Sequence, residues 1–99
     1  MNDIMNLFSL NGKNAVVTGA NTGLGQGICV ALAAAGAHVF GVARRSCDET
    51  AAKIAAEGGQ FAEVRADLSD FAAIDSILEQ VHAHADRIDI LVNNAGIIK

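Results

Sequence analysis

The stretch that decides the fold reads Thr18-Gly19-Ala20-Asn21-Thr22-Gly23-Leu24-Gly25. It follows a short β-rich run, Ala-Val-Val-Thr at 15–18, and it opens an alanine-rich segment that continues to Ala35. The spacing Gly-x-x-x-Gly-x-Gly in this position predicts a tight turn between a strand and the first turn of a helix. In such turns the backbone N–H groups and the positive end of the helix dipole can receive a diphosphate group.

Each glycine has its own predicted role in this turn. Gly19 permits the tight turn, Gly23 lets a ligand come close to the backbone, and Gly25 lets the helix pack on the strand. The spacing alone also fits a purely structural turn, because turns need glycine for conformational reasons. Methyltransferases that bind an adenosyl ligand have a glycine-rich first turn as well, so the motif by itself leaves the ligand class open.

Outward from the turn, short β-rich runs alternate with helical ones. We predict strands at 15–18, 38–42, 61–65 and 88–92, with helices at about 24–35, about 46–57 and after residue 70. The order β-α-β-α-β-α-β predicts an α/β fold, the N-terminal half of a Rossmann-type doubly wound parallel sheet with strand order 3-2-1-4. A ligand is then expected in the crevice between the carboxyl ends of strands 1 and 4.

Local sequence signals indicate where the three helices begin or end. Gly36 is expected to end the first helix in a left-handed conformation, and Ser46-Cys47-Asp48-Glu49 has the spacing of a capping box for the second. Ser69 with Asp70 can cap the third helix. The helical period predicts one apolar face on that helix, formed by Phe71, Ile74, Leu78 and Val81.

Composition limits the classes of function. The 99 residues suffice for one domain or half-domain, and a 52% hydrophobic share without Pro, Trp or Tyr suits helices packed on a parallel sheet. A net charge of -4, with no basic cluster beyond Arg44-Arg45, argues against a nucleic-acid partner. The first residues lack a signal peptide, and Gly36 and His38 interrupt the apolar stretch at 27–43, so we expect no membrane insertion and a cytoplasmic location.

The cysteines give no metal or disulfide pattern. Cys29 and Cys47 are too few for a disulfide framework, and no Cys/His grouping has zinc-ligand spacing. We expect Cys29 to lie in the core. Cys47 is expected to be a loop thiol at a helix start, where its pKa could be lowered.

Three motifs together resemble the short-chain dehydrogenases/reductases over about residues 8–98. The glycine turn that begins at Thr18 looks like the cofactor turn of that family, Ala66-Asp67-Leu68 like its adenine-contacting acid, and Asn93-Asn94-Ala95-Gly96 like its most recognisable signature. The resemblance implies a nicotinamide dinucleotide, NAD(P)(H), as cofactor. The residues predicted to bind it are Gly19, Asn21, Thr22, Gly23, Leu24, Gly25, Arg44, Arg45, Asp67, Leu68, Asn94, Ala95 and Gly96.

The resemblance also implies roles for these residues. Asn21, Thr22 and Leu24 should line the path of the phosphates and ribose, while Asp67 should accept a hydrogen bond from the adenine amino group and Leu68 should pack on the adenine ring. The segment 94–96 should border the adenosine ribose and the nicotinamide side. The alternative for Asn93 and Asn94 is a turn that satisfies only its own backbone.

The end of the second strand bears on the choice between NAD(H) and NADP(H). An acid there would bind both ribose hydroxyls, but this chain has Ala43 followed by Arg44 and Arg45. A guanidinium group can pair with a 2′-phosphate, so NADP(H) is favoured over NAD(H). Alternatively, both arginines belong only to a solvated loop, and Thr22 supplies no second basic residue in the glycine turn.

The catalytic residues of that family, a tyrosine with a nearby lysine, a serine and an asparagine, lie after the Asn-Asn-Ala-Gly motif, and this chain contains no Tyr. We therefore expect residues 1–99 to be the NAD(P)-binding half-domain of a longer, homo-oligomeric oxidoreductase that acts on a small alcohol or ketone. The run 22–27 and the segment 8–13 are similar to 2-deoxy-D-gluconate 3-dehydrogenases, which suggests a sugar acid. The alternative is a non-catalytic nucleotide-binding or interaction module.

Overall fold

Strands and helices alternate along the chain as the hydrophobic pattern predicts. The computed structural model describes residues 9–94. The strands are β1 (Asn14–Thr18), β2 (His38–Ala43), β3 (Gln60–Arg65) and β4 (Ile90–Val92), and the helices are α1 (Gly23–Ala34), α2 (Asp48–Ala56) and α3 (Ala72–His82). Each boundary that the sequence predicted lies within about two residues of the observed one, which is the usual scatter at helix and strand ends.

The four strands form one parallel sheet in the order β3-β2-β1-β4, which confirms the predicted topology. In the register, Thr18 of β1 is level with Val42 of β2, and Val17 is level with Val92 of β4. Because all strands run in the same direction, their carboxyl ends meet at one edge of the sheet. The segments that follow these ends are therefore brought together, although they are far apart in sequence.

The two central strands are buried on both faces, which explains why they are apolar without alternation. On one face Ala15, Val17 and Val39 pack with Cys29 of α1 and Ile54 of α2. On the other face β-strand residues pack with α3 in a second cluster formed by Val16, Phe40, Val42, Val64, Ile77 and Val81. The sheet thus separates two layers of helix, as expected for a Rossmann-type fold.

The apolar face predicted for α3 is wrong, apart from Val81. The buried row is Ala73, Ile77 and Val81, whereas Phe71, Ile74 and Leu78 are 92%, 54% and 40% exposed. Two adjacent rows of this helix are apolar, and the period alone cannot tell which of them meets the sheet. Ile74 and Leu78 of the second row border an open apolar groove of about 480 Å³, which Leu68, Ile88 and Leu91 also line.

The predicted capping box at the start of α2 is also wrong. Cys47 is the residue that caps this helix, and it makes no side-chain capping bond. The Ser46 hydroxyl accepts a hydrogen bond from the Asp48 amide at 3.1 Å, two residues away. The Cys47 amide donates instead to Oε1 of Glu63, at 2.9 Å, so the helix start is satisfied from strand β3.

The predictions for the other helix ends are confirmed at Gly36 and wrong at Ser69. Gly36 has a φ of +108° after α1, as predicted for a left-handed helix end. At the start of α3, Asp70 accepts a hydrogen bond from the Ala72 amide at 2.9 Å. Ser69 does not cap the helix, because its hydroxyl donates to Asp67 at 2.7 Å.

Both thiols are buried. Cys29 lies in the core as predicted, and burial raises its pKa to about 12. The expectation for Cys47 is wrong, since burial and the neighbouring Glu63 raise the pKa of its thiol rather than lower it. No helix of residues 9–94 has the length and hydropathy needed to cross a bilayer.

The Cys29 thiol makes stability depend on pH in alkaline solution. Its pKa is raised from 9.0 to about 12 in the folded chain, so stability from this group is complete below about pH 9 and is lost as the pH rises toward 12. We expect the free energy of unfolding, measured by urea denaturation, to fall over that range. The Cys29→Ala variant should lack this part of the decline, and parallel curves for the two proteins would contradict the assignment.

Candidate functional site

A cleft of about 650 Å³ opens at the edge of the sheet where the strands end. This volume is within the range typical of small-molecule sites. Residues that follow all four strands line it, so the cleft extends further toward β3 than the predicted crevice between β1 and β4. The lining residues are Gly19, Asn21, Thr22, Val42, Ala43, Arg44, Arg45, Ala66, Asp67, Leu68, Ser69 and Asn94.

The structure brings together most of the residues predicted from the sequence. Gly23, Leu24 and Gly25 lie beside the cleft rather than in its wall. Gly25 is buried beneath the turn, and Leu24 is 68% exposed at the start of α1. Ala95 and Gly96 lie outside the described residues.

The glycine turn is fixed by Gly19 and Thr22. Gly19 has a φ of +68°, a backbone conformation that L side chains rarely adopt. The Thr22 hydroxyl donates to the Gly19 carbonyl at 2.8 Å and accepts from the Gly25 amide at 3.2 Å, so Thr22 caps α1. Thr22 thus shapes the turn itself as well as lining the cleft.

Gly25 allows the helix to approach the turn. A Cβ atom at this position would overlap the Gly19 carbonyl and lie 2.9 Å from Nδ2 of Asn94, which agrees with the predicted packing role. A Cβ at Gly23 would meet nothing within 4 Å, so the space next to this residue is open. The two glycines therefore serve different purposes, one inside the fold and one at its surface.

The first amides of α1 are available to a ligand. Among residues 9–94 the structure records no acceptor for the amides of Gly23 and Leu24, whereas those of Gly25 and Gln26 donate to Thr22. Free amides at a helix N-terminus, together with the helix dipole, attract an anion. α1 also has no acidic residue in its first turn to compete for that place.

Asn94 joins the end of β4 to the glycine turn. Its amide donates to the Thr18 hydroxyl at 2.9 Å, and its Nδ2 lies 3.3 Å from the Thr22 hydroxyl and 3.4 Å from the Gly19 carbonyl. Asn93 accepts from the Thr18 hydroxyl at 3.2 Å. These asparagines do more than satisfy their own turn, which was the alternative interpretation. They hold the ends of β1 and β4 in register.

Asp67 carries an ionised carboxylate in the cleft wall. Hydrogen bonds from the Ser69 hydroxyl and amide, together with the charge of Arg44, hold the pKa of Asp67 below its ordinary value. Both bonds go to Oδ1, at 2.7 and 3.0 Å. At neutral pH this group is therefore a hydrogen-bond acceptor. Leu68, next to it, is 42% exposed.

The end of β2 places two cations at the cleft. Arg44 and Arg45 are exposed and line the cleft, and neither forms an ion pair within the part of the chain that the structure describes. Arg65, on the adjacent strand, does form one, with Glu63 at 2.6 Å. The positive charge of the first two side chains thus remains available to an anionic ligand.

Sequence reasoning missed Thr50, which supports the turn from below. Thr50 is 1% exposed, its hydroxyl donates to the Ala20 carbonyl at 2.8 Å, and it accepts from Nε2 of Gln26 at 3.3 Å. A threonine within a helical segment matches no motif. The available signal was its spacing from Ile54, which places a polar side chain on the buried row of α2.

We expect Thr50→Val to destabilise the chain by about 1–3 kcal/mol, because the valine fills the same space but leaves the buried Ala20 carbonyl without its donor. Ser76→Ala is the matched control, since Ser76 is exposed and its hydroxyl accepts from the side chain of Gln80, and it should change stability by less than about 0.5 kcal/mol. Urea denaturation of both variants measures the difference. Equal stabilities would show that the Thr50 bond contributes nothing.

Known proteins resemble this chain over almost all of its length. A sequence model of the family described as short chain dehydrogenase matches residues 13–99. The chain is 46% identical over 96 residues to the 2-dehydro-3-deoxy-D-gluconate 5-dehydrogenase of Dickeya dadantii, a match that covers 97% of this chain and 38% of that protein. The chain thus spans about two fifths of the length of this curated relative.

Solved structures give the same result. A short-chain type dehydrogenase/reductase from Mycobacterium marinum superposes with a TM-score of 0.89 at 39% identity, over 97% of this chain and 40% of that one. A candidate 2-deoxy-D-gluconate 3-dehydrogenase from Agrobacterium tumefaciens, solved with bound NADP, has a TM-score of 0.77 at 52% identity, over 93% of this chain and 35% of that one. The sheet order, the position of the cleft and these similar structures all indicate the same Rossmann-type fold.

Proposed function

The chain belongs to the short-chain dehydrogenases, and from this we propose that its cleft binds a nicotinamide dinucleotide, NAD(P)(H). Residues 1–99 then form the cofactor-binding half-domain of an oxidoreductase. The observation that carries the proposal is the cleft itself, where the glycine turn, the arginine pair after β2 and Asp67 after β3 line one continuous space.

In this proposal the start of α1 would hold the diphosphate. The amides of Gly23 and Leu24 have no recorded acceptor in residues 9–94, and the open space beside Gly23 lets a phosphate oxygen reach them. Asn21 and Thr22 line the adjoining wall. The residues present therefore fit the group: two free donors, a helix dipole and no side chain between them and the ligand.

The end of the cleft next to β3 would hold the adenosine half. The Asp67 carboxylate, ionised at neutral pH, accepts from the adenine amino group, and Leu68 covers the ring. Arg44 and Arg45 pair with a 2′-phosphate, so NADP(H) is preferred over NAD(H). The bound NADP in the related Agrobacterium tumefaciens structure supports this preference.

The side of the cleft at the end of β4, lined by Asn94, would hold the nicotinamide half of the cofactor. When bound, the nicotinamide ring supplies or accepts the hydride. Asn94 would border that side of the cofactor, and its side-chain amide also lies within hydrogen-bond distance of the Thr22 hydroxyl in the glycine turn. The names of the related sugar-acid dehydrogenases support a deoxygluconate-type sugar acid as the substrate of the whole enzyme.

Titration of the purified chain with NADP⁺, NAD⁺ and 2′,5′-ADP in a calorimeter tests the proposal. We expect saturable binding of both dinucleotides at one site, with NADP⁺ binding more tightly. A folded chain, judged by circular dichroism, that gives no binding heat with either dinucleotide would exclude it. For the substrate, the whole enzyme should reduce NADP⁺ with a deoxygluconate, and binding without any turnover would favour a nucleotide-binding module instead.

A further inference from the structure

Two charged side chains of β3 hold the backbone of the segment 44–47, called here the basic turn. Glu63 accepts a hydrogen bond from the Cys47 amide through Oε1 at 2.9 Å, and its Oε2 pairs with Nε of Arg65 at 2.6 Å. A terminal nitrogen of Arg65 lies 3.5 Å from the Arg44 carbonyl. A single ion pair therefore contacts both ends of the basic turn.

The register of the sheet makes this arrangement possible. Gly41 of β2 is level with Glu63, and Ala43 is level with Arg65. The two β3 side chains are two residues apart and thus lie on the same face of the sheet. They reach past the end of β2 to the chain that follows it.

Apart from the Cys47 side chain, which is buried in the core, the basic turn has few other anchors. Arg44, Arg45 and Ser46 are exposed, and within residues 9–94 no other side chain from outside the turn bonds to its backbone. Cys47 makes no side-chain capping bond of its own. The direction in which the arginine side chains leave the backbone therefore depends on contacts with β3.

We propose that Glu63 and Arg65 are positioning residues that fix the basic turn so that the guanidinium groups of Arg44 and Arg45 face the cleft. Through this they set the preference for a dinucleotide that carries a 2′-phosphate. The inference rests on the proposed function, because it concerns the same cleft. Neither Glu63 nor Arg65 lines the cleft itself.

The direction in which a Glu63 substitution changes NADP⁺ affinity distinguishes a positioning role from simple electrostatics. Glu63 is an anion close to the place of a 2′-phosphate, so removal of its charge should strengthen NADP⁺ binding if only the net field matters. If Glu63 positions the turn, its removal should weaken NADP⁺ binding. Glu63→Gln removes the charge but keeps an oxygen that can accept from the Cys47 amide.

The experiment compares dissociation constants for NADP⁺ and NAD⁺ by calorimetry on the full chain. We expect Glu63→Ala to weaken NADP⁺ binding about tenfold, the equivalent of one good hydrogen bond, with NAD⁺ binding changed by less than about twofold. Glu63→Gln should stay within about threefold of the original chain for NADP⁺. Arg87→Ala, which removes the separate Arg87–Asp89 ion pair, is the control and should alter neither constant.

Tighter or unchanged NADP⁺ binding in Glu63→Ala overturns the inference, and so does an equal loss for both dinucleotides. An original chain that binds both dinucleotides equally also overturns it while the proposed function stands; one that binds neither rejects the proposed function. If circular dichroism shows that Glu63→Ala is unfolded, Arg65→Ala takes its place. The Arg65 side chain is 54% exposed, and its loss should weaken NADP⁺ binding selectively in the same way.

Discussion

Replacing Gly19 by valine is expected to lower the affinity for NADP⁺ by roughly 100-fold or more. Gly19 has a φ of +68° and its carbonyl accepts from both the Thr22 hydroxyl and Nδ2 of Asn94. A β-branched residue in the left-handed region costs about 1–2 kcal/mol, so the turn must rearrange. The helix amides then no longer face the diphosphate, and the loss of two charge-assisted bonds of about 1.5–3 kcal/mol each gives the stated effect.

Calorimetry with NADP⁺ measures the loss, and two further glycine variants show its cause. Gly27→Ala is the control: this glycine is exposed on α1 with open space around it, and the change should stabilise the helix by about 0.5–1 kcal/mol without altering affinity. Gly23→Ala introduces no clash in the chain itself. The Gly23→Ala chain should fold normally and still bind the dinucleotide more weakly. If both Gly23→Ala and Gly19→Val kept their full affinity, the diphosphate site would be refuted.

Arg44→Asp is expected to shift the ratio of NADP⁺ to NAD⁺ affinity toward NAD⁺ by roughly 100-fold. The change removes a charge-assisted bond to the 2′-phosphate, worth about 1.5–3 kcal/mol, and adds a like charge beside it. The introduced carboxylate can instead accept from ribose hydroxyl groups, which supports NAD⁺ binding.

The ratio of the two dissociation constants is the measurement for Arg44→Asp. Lys53→Asp makes the same reversal of charge at an exposed position of α2 outside the cleft, and it should leave the ratio within about twofold. If both variants shift the ratio equally, the effect is one of net charge. An unaltered ratio in Arg44→Asp would mean that this arginine is only a surface charge.

The fold could be predicted because its signals are local and agree with each other. The run at 15–18 is apolar without alternation, which is typical of a strand covered on both faces, and Gly36 stands where α1 must end. Each of the first three strands is followed by a helix, and the handedness of such connections leaves few sheet orders. The strand order 3-2-1-4 followed from these features, and with it the edge where the cleft lies.

The wrong predictions concern features that a local sequence pattern does not determine. Both Ile74 and Ile77 fit an apolar row of α3, and only the position of the sheet decides which is buried. Ser46 has the sequence spacing of a capping residue, but the Cys47 amide at the start of α2 donates to Glu63 of strand β3 instead. The Cys47 pKa depends on burial, which spacing does not reveal.

The same limit applies to the site. The glycine turn and Asp67 belong to recognisable motifs, so they could be named in advance. Thr50 and Glu63 support the cleft through contacts between elements that are 16 to 30 residues apart. Neither residue lies in a motif, and their roles become visible only when the strands and helices are assembled.

The contacts of Asn94 have a consequence for the order in which the chain becomes functional during synthesis. Its partners Thr18, Gly19 and Thr22 lie 72 to 76 residues earlier. A ribosome releases the glycine turn before it releases Asn94, so the nascent chain carries this turn through the synthesis of 72 to 76 further residues without the bonds that set its final shape. Ligand capture is therefore expected to begin only after the fourth strand has emerged and docked.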